Sequence, residues 1–276
     1  MNTVAALAFL GLVLLSVAGW LWGPAWWRAR RRARVQRQPF PRAWRRILRR
    51  RMPAFALLPP DIQQRIKKIA QILIAEKPFI GCAGVRINDE MRVLVAAQAA
   101  LLLLGGRGGY YRNLRQVLIY PGAFVVDRIG SDAAGLAQES RRVLAGESWQ
   151  EGQVILSWDD VLAGAADPGD GRNVVIHEFA HQLDQDHGRA NGAPWLGRHG
   201  DYGRWSAVLG HEYAQLQQRL ARGEGGLIDP YAATDAAEFF AVVSELFFEQ
   251  PAALAQAHPE LHAELAAYYG VDPRLW

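Results

Sequence analysis

The sequence HEFAH at residues 177–181 restricts the fold of this chain more than any other feature. Residues four apart on an α-helix lie on one face, so His177 and His181 can reach the same zinc ion. Glu178 points to a different side, from where it can take a proton from a zinc-bound water. Apolar residues surround the motif and predict that the helix lies against the core, where an unpaired histidine is costly. The pattern therefore predicts a buried helix over 173–186 that carries a hydrolytic zinc site.

A catalytic zinc site needs a third protein ligand, and the spacing leaves two candidates. His187 follows His181 by six residues, but metzincins with this spacing carry glycine where the chain has Asp184. Glu238 lies on a later predicted helix, on an acidic stripe that continues at positions 245 and 249 and needs partners on an otherwise apolar helix. Glu238 could instead complete a capping box. Spacing favours Glu238 and keeps His187 as the alternative.

Charge is unevenly distributed along the chain. Residues 28–51 carry twelve arginines, and no Asp or Glu precedes Asp61. Removing those twelve from the 31 Lys and Arg leaves 19 against 27 acids, so the rest of the chain has a charge near −8. An acidic body argues against a nucleic-acid partner. Cys82 is the only cysteine, which excludes an intramolecular disulfide and a cysteine-based zinc site.

The N-terminal residues 4–27 contain no charged side chain, and this length is enough for a helix to cross a hydrocarbon core of about 30 Å. Tryptophans end the run and arginines follow, which argues against a cleaved signal peptide and places the following chain in the cytoplasm. We therefore predict a transmembrane anchor at 1–27, in a single-pass inner-membrane protein whose catalytic domain faces the cytoplasm. Arg28–Arg51 is predicted to bind anionic lipid. Residues 28–60 are predicted to be a linker, and 61–276 the zinc metallopeptidase domain.

The order of predicted elements favours an α+β fold over alternating β and α units. An amphipathic helix starts at Asp61, and an apolar core helix covers 91–104. Two strands flank Pro121-Gly122, and a further strand covers 153–158. The remainder is predicted to be helical over 173–186, 204–221, 235–249 and 251–269.

Several segments of the chain resemble the Mlc titration factor A family of zinc-dependent peptidases. They are VLIYPGAFVVD, SWQEGQVILSW, IHEFAHQLD, NGAPWL and YAATDAAEFFAVVSELFFEQP, and the resemblance runs from about residue 60 to the end. It implies that His177, His181 and Glu238 bind zinc, that Glu178 is the general base, and that Tyr231 stabilises the oxyanion. Asp184 is a further candidate, since it could orient His181.

The same resemblance implies a zincin-like metallopeptidase domain, with a small sheet and an HExxH active-site helix, here preceded by one transmembrane helix. In gluzincins of this type the substrate backbone adds to an edge strand, for which residues 153–158 are the candidate. Members of the family act as aminopeptidases and bind the repressor Mlc.

Two functions are therefore predicted. The first is a membrane-anchored, aminopeptidase-like zinc peptidase acting on peptide substrates. The alternative is a membrane-tethered regulator that sequesters an Mlc-like transcriptional repressor. Glu178 separates them, because a purely structural zinc site has no use for a carboxylate beside its first ligand.

Overall fold

The computed structural model describes residues 3–131, 137–144, 146–149 and 152–276. The chain forms two compact units, Met1–Pro39 and Phe40–Trp276. The first unit consists of a single described helix, α1 (Thr3–Arg37). The sequence predicted that the catalytic domain starts at Asp61. The second unit begins earlier, at Phe40.

The prediction of a transmembrane helix, and with it a single-pass inner-membrane protein, is contradicted. Among the residues that the structure describes, no helix has both the length and the apolar character needed to cross a membrane. Helix α1 continues without a break to Arg37, and from Trp20 onward it combines Trp, Gly and Pro24 with arginines. The lipid contact of Arg28–Arg51 stays a prediction.

The second unit contains a small sheet whose centre is parallel. The strands of the described residues are β1 (Phe79–Gly81), β2 (Gln116–Tyr120), β3 (Phe124–Ser131), β4 (Ala137–Leu144), β5 (Gly146–Trp149) and β6 (Gln153–Ser157). The sheet order is β1-β2-β6-β5, with β1, β2 and β6 mutually parallel and β5 antiparallel to β6. Strands β3 and β4 form a separate antiparallel pair.

The predicted α+β class is therefore wrong, since the fold is mostly helical, with a small sheet in which three strands are parallel. A helix crosses over between β1 and β2, so consecutive strands can run in the same direction. Val117, Ile119, Val154 and Leu156 are completely buried in this sheet. These four residues pair with one another across β2 and β6 and lie on one face of the sheet, which is therefore buried.

The strand at 153–158 was predicted to be the edge that receives substrate, and this prediction is also wrong. Strand β6 pairs with β2 on one side and with β5 on the other. Both rows of its backbone hydrogen-bonding groups are therefore occupied, and no peptide can add to them.

The helices account for most of the second unit. They are α2 (Arg42–Arg51), α3 (Pro60–Glu76), α4 (Asp89–Leu101), α5 (Trp158–Ala166), α6 (Val174–Asp184), α7 (Tyr202–Ala221), α8 (Ala236–Glu249), α9 (Pro251–Ala257) and α10 (Pro259–Tyr269). Asn88, Ser157, Asn173, Asp201 and Asp235 each cap a helix with a side-chain oxygen. Proline breaks the single helix predicted over 251–269, because Pro259 fits the first position of α10 and not the interior of a helix.

Helix α8 lies at the centre of the core. Its Phe239, Phe240 and Phe247 are at most 1% exposed, and it packs against α6. Helix α2 packs against α4 and buries Leu48 completely, which explains why the compact unit starts at Phe40. Apolar packing of α6 on α8 brings the polar residues of the two helices into contact, and these residues form the site.

Candidate metal centre

The N-terminus of α6 is held against α8 by Asn173. The Asn173 side chain accepts a hydrogen bond from the Ile176 backbone N–H at 3.1 Å, which caps the helix. The Asn173 backbone N–H donates to Glu245 Oε2 on α8 at 2.5 Å. The first turn of α6, and with it His177, is therefore fixed relative to α8.

Three predicted ligands converge between these helices. His177 Nε2 lies 3.0 Å from Glu238 Oε2, and His181 Nε2 lies 3.3 Å from the same oxygen. The candidate ligand atoms of the three residues all lie within 4.8 Å of one another, so the group could hold a metal ion. Ligands at about 2.0–2.1 Å around a tetrahedral zinc ion are separated by roughly 3.3 Å, which fits this arrangement. The donor set of two imidazoles and one carboxylate also fits zinc.

The charges of this group depend on one another. Burial alone would lower the pKa of His177, but hydrogen bonds with Glu238 and Glu245 outweigh it and raise that pKa well above its ordinary value. Burial raises the pKa of Glu238, but the hydrogen bonds and charges of His177 and His181 outweigh it and hold that pKa well below its usual range. In its doubly protonated form, His177 donates its Nδ1–H to Glu245 and its Nε2–H to Glu238. A metal ion that takes the place of the Nε2 proton would keep the buried charges balanced.

Glu245 has a role that the sequence did not assign. Its Oε1 lies 2.8 Å from His177 Nδ1, on the side of the ring opposite Glu238. An Nδ1–H that donates to Glu245 leaves Nε2 free to bind a metal, and it fixes the orientation of the ring. The signal was present in the acidic stripe of α8, because Glu245 is 7% exposed and a buried acid requires a partner.

Asp184 anchors a loop rather than a ligand. Its carboxylate accepts hydrogen bonds from the backbone N–H groups of Asn191, Gly192 and Ala193 at 2.7–3.0 Å. The Trp205 indole N–H donates to the Gly192 carbonyl at 2.9 Å and holds the same loop from α7. These bonds account for both oxygens of Asp184, and the predicted orientation of His181 is not among them.

The alternative ligand, His187, lies in a short 3-10 turn, Gln185–His187, directly after α6. Its side chain is outside the described part of the chain. The ligand group of the described residues consists of His177, His181 and Glu238.

Glu178 and Tyr231 lie on a cleft of about 520 Å³ next to His177. Glu178 is 4% exposed, whereas Tyr231 is 44% exposed at the rim. The ring centroids of Tyr231 and His177 are 6.1 Å apart. Tyr231 is held in the turn Pro230–Ala233, where its backbone N–H donates to Asp229 at 2.9 Å. A buried carboxylate and a phenol therefore flank the same histidine.

Comparison with known proteins agrees with this geometry. Residues 25–270 match the family model described as glucose-regulated metallo-peptidase M90. The chain is 40% identical over 262 residues to the uncharacterized protein slr2042 of Synechocystis sp., covering 95% of each chain.

Two Yersinia relatives share the name Mlc titration factor A. The Yersinia enterocolitica protein is 33% identical over 235 residues, covering 83% of this chain and 85% of that one. The Yersinia pestis protein is 34% identical over 227 residues, covering 80% and 82%. The resemblance to the Mlc titration factor A family is thus confirmed at the level of sequence, and the chain belongs to the glucose-regulated metallo-peptidase M90 family.

Proposed function

We propose that the protein is a zinc-dependent peptidase that removes residues from the N-terminus of peptides. The observation that carries this proposal is the convergence of His177, His181 and Glu238 within 4.8 Å, with Glu178 buried beside them. The description of the family as a metallo-peptidase supports hydrolysis and metal binding. All of these groups lie within residues 61–276, the segment predicted to form the catalytic domain.

Each residue of the site has a different role in the proposed hydrolysis. His177, His181 and Glu238 would hold a zinc ion, which when bound would supply Lewis-acid chemistry to polarise a carbonyl and lower the pKa of a water molecule. Glu178 takes the proton of the attacking water and passes it to the leaving amine. Glu245 keeps His177 in the tautomer and orientation that binding requires. Tyr231 donates its phenolic O–H to the developing oxyanion from the rim of the cleft.

Metal removal and substrate choice test this function together. Stripping the purified full chain with a chelator is expected to abolish hydrolysis, and one equivalent of zinc is expected to restore it. Aminoacyl substrates with a free N-terminus should be cleaved at least tenfold faster than N-acetylated ones of the same sequence. Activity that survives in chelated, metal-free protein contradicts the metallopeptidase mechanism. Equal rates on free and blocked substrates contradict only the aminopeptidase assignment.

Replacing Tyr231 with Phe is expected to lower kcat by about 10²-fold with little change in KM, because one oxyanion donor is lost. Steady-state kinetics on the best aminoacyl substrate measures this. Tyr202→Phe is the matched control, since Tyr202 is also 44% exposed but lies at the start of α7 and does not line the cleft. If Tyr231→Phe has the same kcat as the control, Tyr231 does not stabilise the oxyanion and only packs against its neighbours.

A second candidate function is supported by the names of the Yersinia relatives, which describe titration of Mlc. We propose as the alternative that this chain binds a transcriptional repressor and that hydrolysis is secondary. The two functions separate in a Glu178→Gln variant. Repressor binding that is unchanged in this variant, together with a full regulatory effect in cells, favours the alternative. Loss of the regulatory effect with hydrolysis favours the enzyme.

A further inference from the structure

Tyr231 reaches the cleft from a short turn that is fixed on its buried side. Ala232 of this turn is completely buried, and the Tyr213 hydroxyl on α7 donates to the Ala233 carbonyl oxygen at 3.1 Å. On the open side, the Tyr231 backbone N–H donates to Asp229 Oδ1 at 2.9 Å. Asp229 therefore supports the end of the turn from which the phenol faces the cleft.

The second carboxylate oxygen of Asp229 pairs with Arg172. Arg172 Nη2 donates to Asp229 Oδ2 at 2.9 Å. Both residues line the cleft next to His177. One carboxylate thus holds the turn of Tyr231 with one oxygen and binds the segment before α6 with the other.

Arg172 is connected to the metal ligands through its neighbour in the chain. Asn173 follows it directly, and the Asn173 backbone N–H donates to Glu245 Oε2 at 2.5 Å. Glu245 Oε1 lies 2.8 Å from His177 Nδ1. The ring centroids of His177 and Tyr231 are 6.1 Å apart. A continuous series of contacts therefore starts at His177, passes through the segment before α6, and returns to the site at Tyr231.

We propose that Arg172 is a positioning residue, which acts through Asp229 to hold the Tyr231 phenol in place beside the metal ligands. This inference rests on the proposed peptidase function and on the role of Tyr231 in it. A group that acts only in the transition state affects kcat more than substrate binding, and small displacements weaken its action. Loss of Arg172 is therefore expected to lower kcat with little change in KM.

The exposure of the ion pair sets the size of this effect. The side chains of Arg172 and Asp229 are 78% and 38% exposed. Exposed ion pairs contribute little to the stability of a fold, so a variant without the pair should remain folded. For the same reason, its loss is expected to cost less activity than loss of the phenol itself.

Steady-state kinetics of the zinc-loaded full chain, on a free-amine substrate, tests the inference. Arg172→Met is expected to lower kcat about three- to fivefold, and Arg172→Lys, which keeps the charge, should restore most of it. In a Tyr231→Phe background, Arg172→Met should cause no further loss, because the group that it positions is absent. Arg222→Met is the matched control, since Arg222 pairs with Glu224 at 2.7 Å, is exposed, and does not line the cleft.

Salt gives a second readout, which a purely structural role of Arg172 would not move. Salt screens exposed charges, so raising its concentration from about 0.1 M to about 1 M should bring the kcat of the parent close to that of Arg172→Met. A ratio of the two kcat values that does not change with salt contradicts the ion pair as the cause.

The remaining outcomes separate this inference from the proposed function. Parent kcat in Arg172→Met overturns the inference and leaves the peptidase function intact. A further loss of kcat in the Tyr231→Phe background also overturns it, because Arg172 would then act on the substrate directly. If Tyr231→Phe itself keeps the parent kcat, the proposed role of Tyr231 is wrong and the inference fails with it.

Discussion

Replacing Glu178 with Gln is expected to lower kcat for peptide hydrolysis by about 10³-fold or more while the zinc ion stays bound. The amide keeps the size of the side chain but cannot take a proton from water. The three ligands are untouched, because Glu178 does not belong to the group formed by His177, His181 and Glu238. Initial rates on a free-amine substrate and the zinc content after gel filtration are the two measurements.

The matched control is Glu260→Gln, the same chemical change at an exposed position in the first turn of α10. It should retain the activity and zinc content of the parent. If Glu178→Gln hydrolyses peptides as fast as Glu260→Gln, Glu178 is not the general base. If Glu178→Gln instead loses zinc, its buried carboxylate contributes to metal binding and the proposed division of roles is wrong.

The second large effect is expected at Glu238. Removing its carboxylate in Glu238→Ala leaves two imidazoles, which should weaken zinc binding by more than about 100-fold, the upper end for residues that act on a ligand indirectly. Glu245→Gln should weaken binding by about 10–100-fold, because it removes the charge that Glu245 holds against His177 but no ligand. Competition titration with a chromophoric chelator gives both dissociation constants.

This graded series tests the geometry as well as the chemistry. Glu238 and Glu245 both lie on α8 and both contact His177. If the two substitutions acted only by disrupting α8, they would weaken zinc binding to the same extent. Glu260→Gln, on α10, again provides the baseline. A larger loss in Glu245→Gln than in Glu238→Ala would make Glu245 the ligand. Parent affinity in Glu238→Ala would point to another third ligand, and His187→Ala would then be the next variant to measure.

Local sequence was sufficient for the histidines and much of the helical structure. The spacing of His177 and His181 places both imidazoles on one face whatever the rest of the chain does, because helical periodicity is a local property. Asparagine, aspartate and serine mark five observed helix starts, since their side chains cap helices through residues two or three positions away. The strands on either side of Pro121-Gly122 were likewise predicted from turn chemistry alone.

Local sequence patterns did not predict the strand pairing of the sheet or the character of the N-terminal helix. A short strand does not show by itself which segments it pairs with, and pairing between distant segments decides its direction. This pairing places β6 between β2 and β5, so the prediction that β6 is a substrate-binding edge is wrong. At the N-terminus, the uncharged run predicts a membrane span, but none of the described helices is both long and apolar enough to cross a membrane.

What the sequence determined by itself is the pair of imidazoles one turn apart, with a carboxylate next to the first, because that geometry follows from the helix alone. Tertiary structure decided which distant acid meets them. Helix α8 packs its apolar face into the core and thereby brings Glu238 to one side of His177 and Glu245 to the other. Both acids lie on the same predicted stripe, where the sequence favoured Glu238 as the ligand and assigned no role to Glu245. The contact of Glu245 with His177 Nδ1 became visible only when the two helices packed together.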